Sequence, residues 1–140
     1  MVYDTIPTTE VITKTVDALA KHHIEAIVVE TKEEALAKIK ELIPAGMSIN
    51  NGSSRTLEEI GFIEYIKSGA HPWNNLHEAI LKEADPARQA ELRKLAVFSD
   101  YYLGSTHALA ETGEMIFGSA SGSQLPHIAF TSQNLIPCPG

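Results

Sequence analysis

The spacing of hydrophobic positions changes along the chain, and the first third alternates between helical and strand-like patterns. After Thr8–Thr9, apolar residues recur every three or four positions up to Ala20, which predicts an amphipathic helix that packs one face on a sheet. The next run, Ile24–Glu30, is short, rich in β-branched residues and almost continuously apolar, so it predicts a strand covered on both faces. Thr31–Glu34 has the spacing of a capping box, and Pro44 stops the helix that this box opens.

The middle of the chain repeats this alternation less clearly. Met47–Asn50 predicts a second strand. The capping-box spacing recurs at Thr56–Glu59 and predicts a helix that runs to Lys67. Around Trp73 no period is visible, and we expect this region to fold back over the body of the protein or to form an arm that faces a partner. Leu76–Glu83 predicts one short helix.

The last third predicts further strands and helices. Asp85-Pro86 is a typical N-cap and first helical residue, so a helix begins there. Strands are predicted at Tyr101–Leu103 and Glu114–Phe117, a helix at Leu125–Phe130, and a strand that begins at Leu135-Ile136. Alternation of this kind predicts one α/β domain over residues 1–140, with a mostly parallel sheet flanked by helices.

Composition and charge exclude several classes of partner. The 140 residues carry a formal net charge of −7, which opposes binding to nucleic acid or to an anionic membrane surface. The apolar runs fall far short of the roughly 20 residues that span a bilayer. Met1–Pro7 lacks the basic and apolar parts of a signal peptide, and the chain has one cysteine, Cys138, so we expect a cytoplasmic protein without disulfides. A single cysteine also provides no ligand set for an iron–sulfur cluster.

Three loops follow predicted strands, where ligands bind in open α/β sheets. The first loop supplies a glycine for close backbone approach, hydroxyl donors and a guanidinium that binds phosphate or carboxylate. Its candidate ligand-binding residues are Asn51, Gly52, Ser53, Ser54, Arg55 and Thr56. The same pattern is equally typical of a helix cap with an exposed arginine, and both interpretations stay open.

The other two loops offer further candidates. In the second loop, Gly104, Ser105 and Thr106 are candidate ligand-binding residues. His107 and Glu111 follow as a candidate pair for general acid–base catalysis, although a loop histidine is also commonly a hydrogen-bonded structural residue. The third loop contributes Gly122 and Ser123 as a cradle for an anion or as a flexible turn. The remaining histidines lack metal-ligand spacing, so no metal site and no cofactor are predicted.

Two long blocks, Ile49–Gly61 and Ser99–Glu114, resemble the signature blocks of the LUD (lactate-utilisation) family, and the resemblance extends over residues 8–136. It implies a fold similar to that of the group containing ribose-phosphate isomerases, glucosamine-phosphate deaminases and CoA-transferases. It also implies a bacterial-type accessory component in the oxidation of L-lactate to pyruvate that binds a small anionic metabolite. Iron–sulfur partner proteins would carry the electrons, and a homo-oligomer stays open.

Two alternatives to this function stay open. One is an enzyme that resembles sugar-phosphate isomerases or acyl- and CoA-transferases. The other is a non-catalytic scaffold for an iron–sulfur oxidase complex, with the Trp73 region as its contact surface.

Two features of this chain depart from the family pattern. Many members have an arginine after the Gly-Asn of the third loop, whereas this chain reads Gly122-Ser123-Gln124. The resemblance also implies a completed last strand, a lysine and a further helix. We expect this chain to lack the usual C-terminal strand and helix, as a truncated, frame-shifted or naturally short variant. Pro137 and Pro139 are expected to interrupt the last strand.

Overall fold

The computed structural model describes residues 5–139, so Met1–Asp4 of the stretch tested for a signal peptide, and Gly140, lie outside the described residues. The helices are α1 (Thr9–Lys21), α2 (Lys32–Leu42), α3 (Arg55–Glu59), α4 (Phe62–Lys67), α5 (Leu76–Lys82) and α6 (Pro86–Leu95). The strands are β1 (Ser48–Asn51), β2 (Asn74–Asn75), β3 (Tyr101–Ser105), β4 (Ala108–Leu109), β5 (Met115–Ile116) and β6 (Asn134–Cys138). A 3-10 turn spans Ala96–Phe98 and a π-helical turn spans His127–Thr131.

Four strands form one parallel sheet in the order β2-β1-β3-β6, which confirms the predicted α/β fold. The chain leaves β1 toward β2 on one side and leaves β3 toward β6 on the other side. Adjacent strands whose connections leave in opposite directions open a crevice at their carboxyl ends. The point at which the connections change direction is called the switch point, and in this fold it lies between β1 and β3.

One face of the sheet carries the main hydrophobic core. Ile49 of β1 and Leu103 of β3 are fully buried there against apolar side chains of α2, α3 and α4. Trp73 belongs to the same core: its side chain is 6% exposed, and its indole N–H donates to the carbonyl of Ile43 at 3.0 Å. Trp73 therefore folds back over the body, and the expectation of a partner-facing arm is wrong, because the large apolar indole is stabilised by burial with its N–H paired.

The helix starts predicted at Thr31 and Asp85 are confirmed. Thr8 caps α1, the reciprocal Thr31–Glu34 capping box opens α2, and Asp85 caps α6. The predicted cap at Thr56 is wrong, because Ser54 accepts the Leu57 amide at 3.1 Å and begins the helix two residues earlier.

The predicted continuous helix to Lys67 is also interrupted. Ile60 ends α3 and Gly61 begins α4 at φ +80°. Glycine adopts this left-handed conformation without the steric cost that a side chain would add, so it allows the chain to turn between the two short helices.

The segment Ile24–Glu30 is not a strand, contrary to the sequence pattern. Ile27 and Val28 are 42% and 55% exposed, so the apolar run is not covered on both faces. A strand requires a neighbour for its backbone hydrogen bonds, and within residues 5–139 the sheet ends at β2 and at β6. Among residues 5–139, this β-branched segment is therefore not paired with any strand.

The C-terminal part differs in three details from the sequence prediction. The strand predicted at Glu114–Phe117 shortens to β5, which pairs with β4 in a small antiparallel hairpin instead of joining the main sheet. The helix predicted at Leu125–Phe130 is present, but it becomes π-helical at His127–Thr131. Pro137 does not interrupt β6, because an edge strand tolerates the missing proline N–H on its unpaired side. Among the described residues, no helix combines the length and hydropathy needed to cross a membrane.

Candidate functional site

The first and second predicted loops meet at the carboxyl ends of β1 and β3. Asn51 is the register partner of Leu103, and the amide of Gly52 donates to the Leu103 carbonyl at 3.1 Å. At the end of β3, the hydroxyl of Ser105 forms a hydrogen bond with the hydroxyl of Ser54. We call the region bounded by these loops the crevice; its residues are Asn51, Gly52, Ser54, Tyr102, Gly104, Ser105, Thr106 and Gln124.

Glycine at position 52 allows three parts of the chain to converge. A Cβ atom built on Gly52 would lie 2.5 Å from the Tyr102 hydroxyl and 2.8 Å from Oε1 of Gln124. A Cβ atom on Gly104 would lie 3.3 Å from Cε1 of Tyr102 and 3.7 Å from the same Gln124 oxygen. The third loop thus enters the crevice through Gln124, and the missing side chain at position 52 is required for the approach of Tyr102.

Several polar atoms buried in the crevice have no hydrogen-bond partner among residues 5–139. They are Oδ1 of Asn51, the hydroxyl of Tyr102 and Oγ1 of Thr106. Buried polar atoms in folded proteins are nearly always paired, since an unpaired one costs about 1–3 kcal/mol. Burial raises the pKa of Tyr102 to about 12, so its hydroxyl keeps its proton at neutral pH and is available as a donor. All three residues lie at or next to the carboxyl ends of β1 and β3, and each offers an unpaired donor or acceptor that a polar ligand could pair with.

A buried polar layer lies beneath Tyr102. Asn50 Oδ1 accepts the amide of Asn51 at 3.0 Å, so the Asn50 NH2 group faces Nε2 of His127 at 3.1 Å. That NH2 group donates, and Nε2 is therefore unprotonated. The ring proton lies on Nδ1, which donates to Oγ of Ser132 at 2.7 Å, and Ser99 approaches the same hydroxyl at 3.1 Å.

The imidazole of this layer packs directly on the crevice tyrosine. The rings of His127 and Tyr102 are stacked, with centroids 4.2 Å apart and planes 16° apart. The His127 residue is 3% exposed, and burial lowers its pKa to about 4. Both the hydrogen bonds and the burial favour a neutral imidazole at physiological pH.

The predicted residues of the first loop divide into two groups. Asn51, Gly52 and Ser54 lie in the crevice, whereas Ser53 is exposed. The Arg55 side chain is 89% exposed, and its Nε bonds to Glu59 at 2.8 Å. Thr56 lies within α3. Ser54 both caps α3 and binds Ser105, so the cap and the crevice use the same hydroxyl.

The candidate acid–base residues His107 and Glu111 lie at opposite ends of β4 and contact different partners. His107 is exposed. Its Nδ1 accepts a hydrogen bond from the Gly118 amide at 3.0 Å, which links His107 to the start of the third loop. Glu111 binds Lys14 of α1 at 2.7 Å, next to the close approach of Gly113 to α1. Both side chains thus hold the hairpin in place. Within the described part of the chain, no group of three or more potential His, Cys, Asp or Glu ligands could hold a metal ion.

The third loop contributes to the crevice differently from the prediction. Gly122 has φ +74°, which suits a turn, and the exposed Ser123 accepts a hydrogen bond from Ser121 at 3.0 Å. These residues shape the loop, while the next residue, Gln124, reaches Gly52. Tyr102, Gln124 and His127 were not identified from the sequence; the one available signal is Asn50, a polar residue inside a predicted strand.

The crevice is distinguished by its unpaired polar atoms rather than by its volume. A groove of about 410 Å³ lies elsewhere, between α2 and the α3–α4 pair. Its lining is mainly charged, with Lys32, Lys40, Glu58 and Glu64 among the residues. It contains none of the residues predicted to bind a ligand.

Comparison with known families identifies the domain. The family profile of the LUD domain matches residues 12–136, which include the whole crevice. The chain belongs to the LUD-domain family. This confirms the resemblance of the two signature blocks and relates the chain to lactate utilisation through the family. No curated protein and no solved structure matches the chain. The two signature blocks of this LUD domain, Ile49–Gly61 and Ser99–Glu114, are the segments that form the carboxyl ends of β1 and β3.

Proposed function

We propose that this LUD-domain chain binds a small anionic metabolite in the crevice, as an accessory component in the oxidation of L-lactate to pyruvate. The observation that carries the proposal is the buried, unpaired hydroxyl of Tyr102 at the switch point between β1 and β3. Asn51 and Thr106 add two further unpaired atoms to the same crevice. A ligand that pairs with these atoms removes the cost of leaving them buried without partners.

The chemistry of these atoms fits a small hydroxy acid or oxo acid. The Tyr102 and Thr106 hydroxyls donate to carboxylate or carbonyl oxygens. The amide oxygens of Asn51 and Gln124 accept from a ligand hydroxyl. Arg55 lies at the rim with its guanidinium in solvent, where it attracts an approaching anion despite the net charge of −7.

The two alternative functions receive less support from the geometry. The isomerase or acyl-transfer alternative depends on His107 and Glu111, whose side chains bind Gly118 and Lys14. The scaffold alternative used Trp73 as its contact surface, and Trp73 is buried. An iron–sulfur partner stays a prediction; a chain with one cysteine cannot hold a four-cysteine cluster, so the electron transfer in this proposal belongs to that partner.

Isothermal titration calorimetry with L-lactate, pyruvate and inorganic phosphate tests the proposal. We expect one of the two organic acids to bind, and Tyr102→Phe to weaken its binding about tenfold or more, since a buried hydrogen bond is lost. Tyr101→Phe makes the same chemical change on the opposite face of β3 and is the matched control. A thermal-shift assay gives a second readout, because ligand at about 100 times its Kd adds roughly 2.7 kcal/mol of stability.

Two results would contradict the proposal. One is the absence of binding by all three compounds. The other is equal affinity in the wild type and in Tyr102→Phe, which would place the ligand outside the crevice.

A further inference from the structure

We propose that His127 is a positioning residue: its neutral imidazole, stacked on Tyr102, holds the phenol ring so that the hydroxyl points at Gly52 inside the crevice. His127 does not border Gly52 itself and acts through the tyrosine. The part of this inference that concerns ligand affinity rests on the proposed function. The part that concerns the orientation of Tyr102 does not.

The hydrogen bonds of His127 fix the plane of its ring. Asn50 donates to Nε2 at 3.1 Å, and Nδ1 donates to Ser132 at 2.7 Å, so both nitrogens are paired in opposite directions. An imidazole held at both nitrogens cannot rotate about its ring bond without breaking a buried hydrogen bond. The ring therefore presents one fixed flat face.

That fixed face determines where Tyr102 lies. The two rings are nearly parallel, with centroids 4.2 Å apart, so the phenol has the imidazole on one side. Beyond the phenol, the Tyr102 hydroxyl approaches the backbone at Gly52 and the amide oxygen of Gln124. The hydroxyl itself has no partner among residues 5–139 that would hold it there. Stacking, rather than a hydrogen bond of the hydroxyl, orients this group.

The same histidine also contacts the strand that ends in the crevice. Asn50 binds His127 through its NH2 group and Asn51 through its oxygen. One amide side chain thus links the imidazole to the backbone immediately before Gly52. Among residues 5–139, the hydrogen bonds and ring stacking of His127 involve Asn50, Ser99, Ser132 and Tyr102, and Tyr102 is the titratable member of this set.

The tautomer is the first test, and it uses the unmodified protein. Nitrogen-15 NMR of the full chain at pH 7 distinguishes an imidazole protonated on Nδ1 from one protonated on Nε2. We expect His127 to be neutral and protonated on Nδ1. A ring protonated on Nε2, or on both nitrogens, would overturn the proposal whether or not any ligand binds.

The orientation of Tyr102 is the second test. Nuclear Overhauser contacts between the ring protons of Tyr102 and the α-protons of Gly52 and Gly104 report the observed orientation. We expect them to weaken in His127→Ala and to persist in His71→Ala, the matched control, which removes a histidine stacked on Trp73 instead. Unchanged contacts in a folded His127→Ala protein would show that Tyr102 is held by other residues.

A double-mutant cycle is the third test and separates this inference from the proposed function. We expect His127→Ala to weaken binding of the organic acid about tenfold in the wild type, the effect of one misplaced hydrogen bond. In a Tyr102→Phe background the same change should cost less than about twofold, because the hydroxyl it orients is already absent. Equal losses in both backgrounds would assign His127 a structural role only. If the wild type binds none of the three compounds, the proposed function fails, and the two NMR measurements still decide the positioning role.

Discussion

Ser48 and Asp100 exchange three hydrogen bonds at the start of β1 and β3. The Ser48 amide and hydroxyl donate to Oδ2 of Asp100 at 2.8 and 2.7 Å, and the Asp100 amide donates to the Ser48 hydroxyl at 2.9 Å. These bonds align two strands that are far apart in the sequence. Because the strands start together, their carboxyl ends also meet, and the two signature loops form one crevice.

Removing this pair should destabilise the fold. We expect Asp100→Ala to lower the free energy of unfolding by about 2 kcal/mol, since the hydrogen bonds go to a charged group. Urea denaturation followed by circular dichroism measures the change. Asp17→Ala, an exposed aspartate in α1, is the control and should change the stability by less than about 0.5 kcal/mol.

The Asp100 contribution should also depend on pH. Hydrogen bonds from Ser48 lower the pKa of Asp100, so the folded state favours the carboxylate. Its contribution is present above the usual aspartate pKa and is lost as the pH falls through the lowered one. The difference between wild type and Asp100→Ala should therefore shrink in acid; a constant difference down to about pH 2 would contradict this account.

Gly52→Ala should block the crevice. The added methyl group would lie 2.5 Å from the Tyr102 hydroxyl, so the tyrosine or Gln124 must move. We expect a loss of about 1–3 kcal/mol in stability and no measurable binding of the organic acid. Calorimetry measures both the stability and the binding. Gly118→Ala is the control, because a Cβ atom at position 118 would lie 3.4 Å from its nearest neighbour, Nε2 of His107. Wild-type affinity in Gly52→Ala would mean that the ligand does not enter between these residues.

His127 should make stability fall as the pH drops below neutrality. Its pKa is about 4 in the folded protein against 6.5 for an ordinary histidine, so the unfolded chain binds the proton first. The contribution is complete above pH 6.5 and declines between pH 6.5 and 4, by about 3 kcal/mol in total. Denaturation curves at several pH values should show this decline in the wild type and a smaller one in His127→Gln. Parallel pH dependence in the two proteins would be inconsistent with a buried neutral imidazole.

Trp73→Ala should be strongly destabilising. The indole is buried in the main core, and its N–H donates to Ile43, so truncation leaves a large cavity and an unpaired carbonyl. We expect a loss of about 4 kcal/mol, measured by far-ultraviolet circular dichroism, because the only tryptophan of the chain is removed. Phe98→Ala is the control, since Phe98 is 71% exposed and should contribute less than about 0.5 kcal/mol. If Trp73→Ala is as stable as the wild type, the Trp73 side chain does not contribute to the core and would again be a candidate surface contact.

Arg55→Ala should affect binding more than stability. The guanidinium is exposed, and its ion pair with Glu59 contributes about 0–0.5 kcal/mol to folding. As a rim charge it attracts the anion at long range, so we expect a loss of affinity smaller than the tenfold loss in Tyr102→Phe, and less loss at high salt. Titrations at two ionic strengths check this. Complete loss of binding in Arg55→Ala would instead make the arginine a direct ligand contact.

Local interactions explain which predictions from the sequence were accurate. A helix cap joins residues two or three apart, so the caps at Thr31 and Asp85 were predictable without a tertiary structure. The cap at Ser54 was missed because Ser53, Ser54 and Thr56 all have suitable side chains, and the choice depends on where β1 ends. The parallel strands were predictable from their alternation with helices, and the family from its two long blocks.

Contacts between distant residues explain the rest. The run Ile24–Glu30 has strand composition but no ladder among residues 5–139, because a strand exists only through a neighbouring strand. The site differs for a similar reason: Tyr102 enters the crevice because β3 aligns with β1, and Gln124 because a later loop returns to Gly52. Periodicity and spacing describe a few neighbouring residues, and they place the candidate loops at strand ends. Which side chains enter the crevice is decided by sheet register and packing, which act over the whole fold.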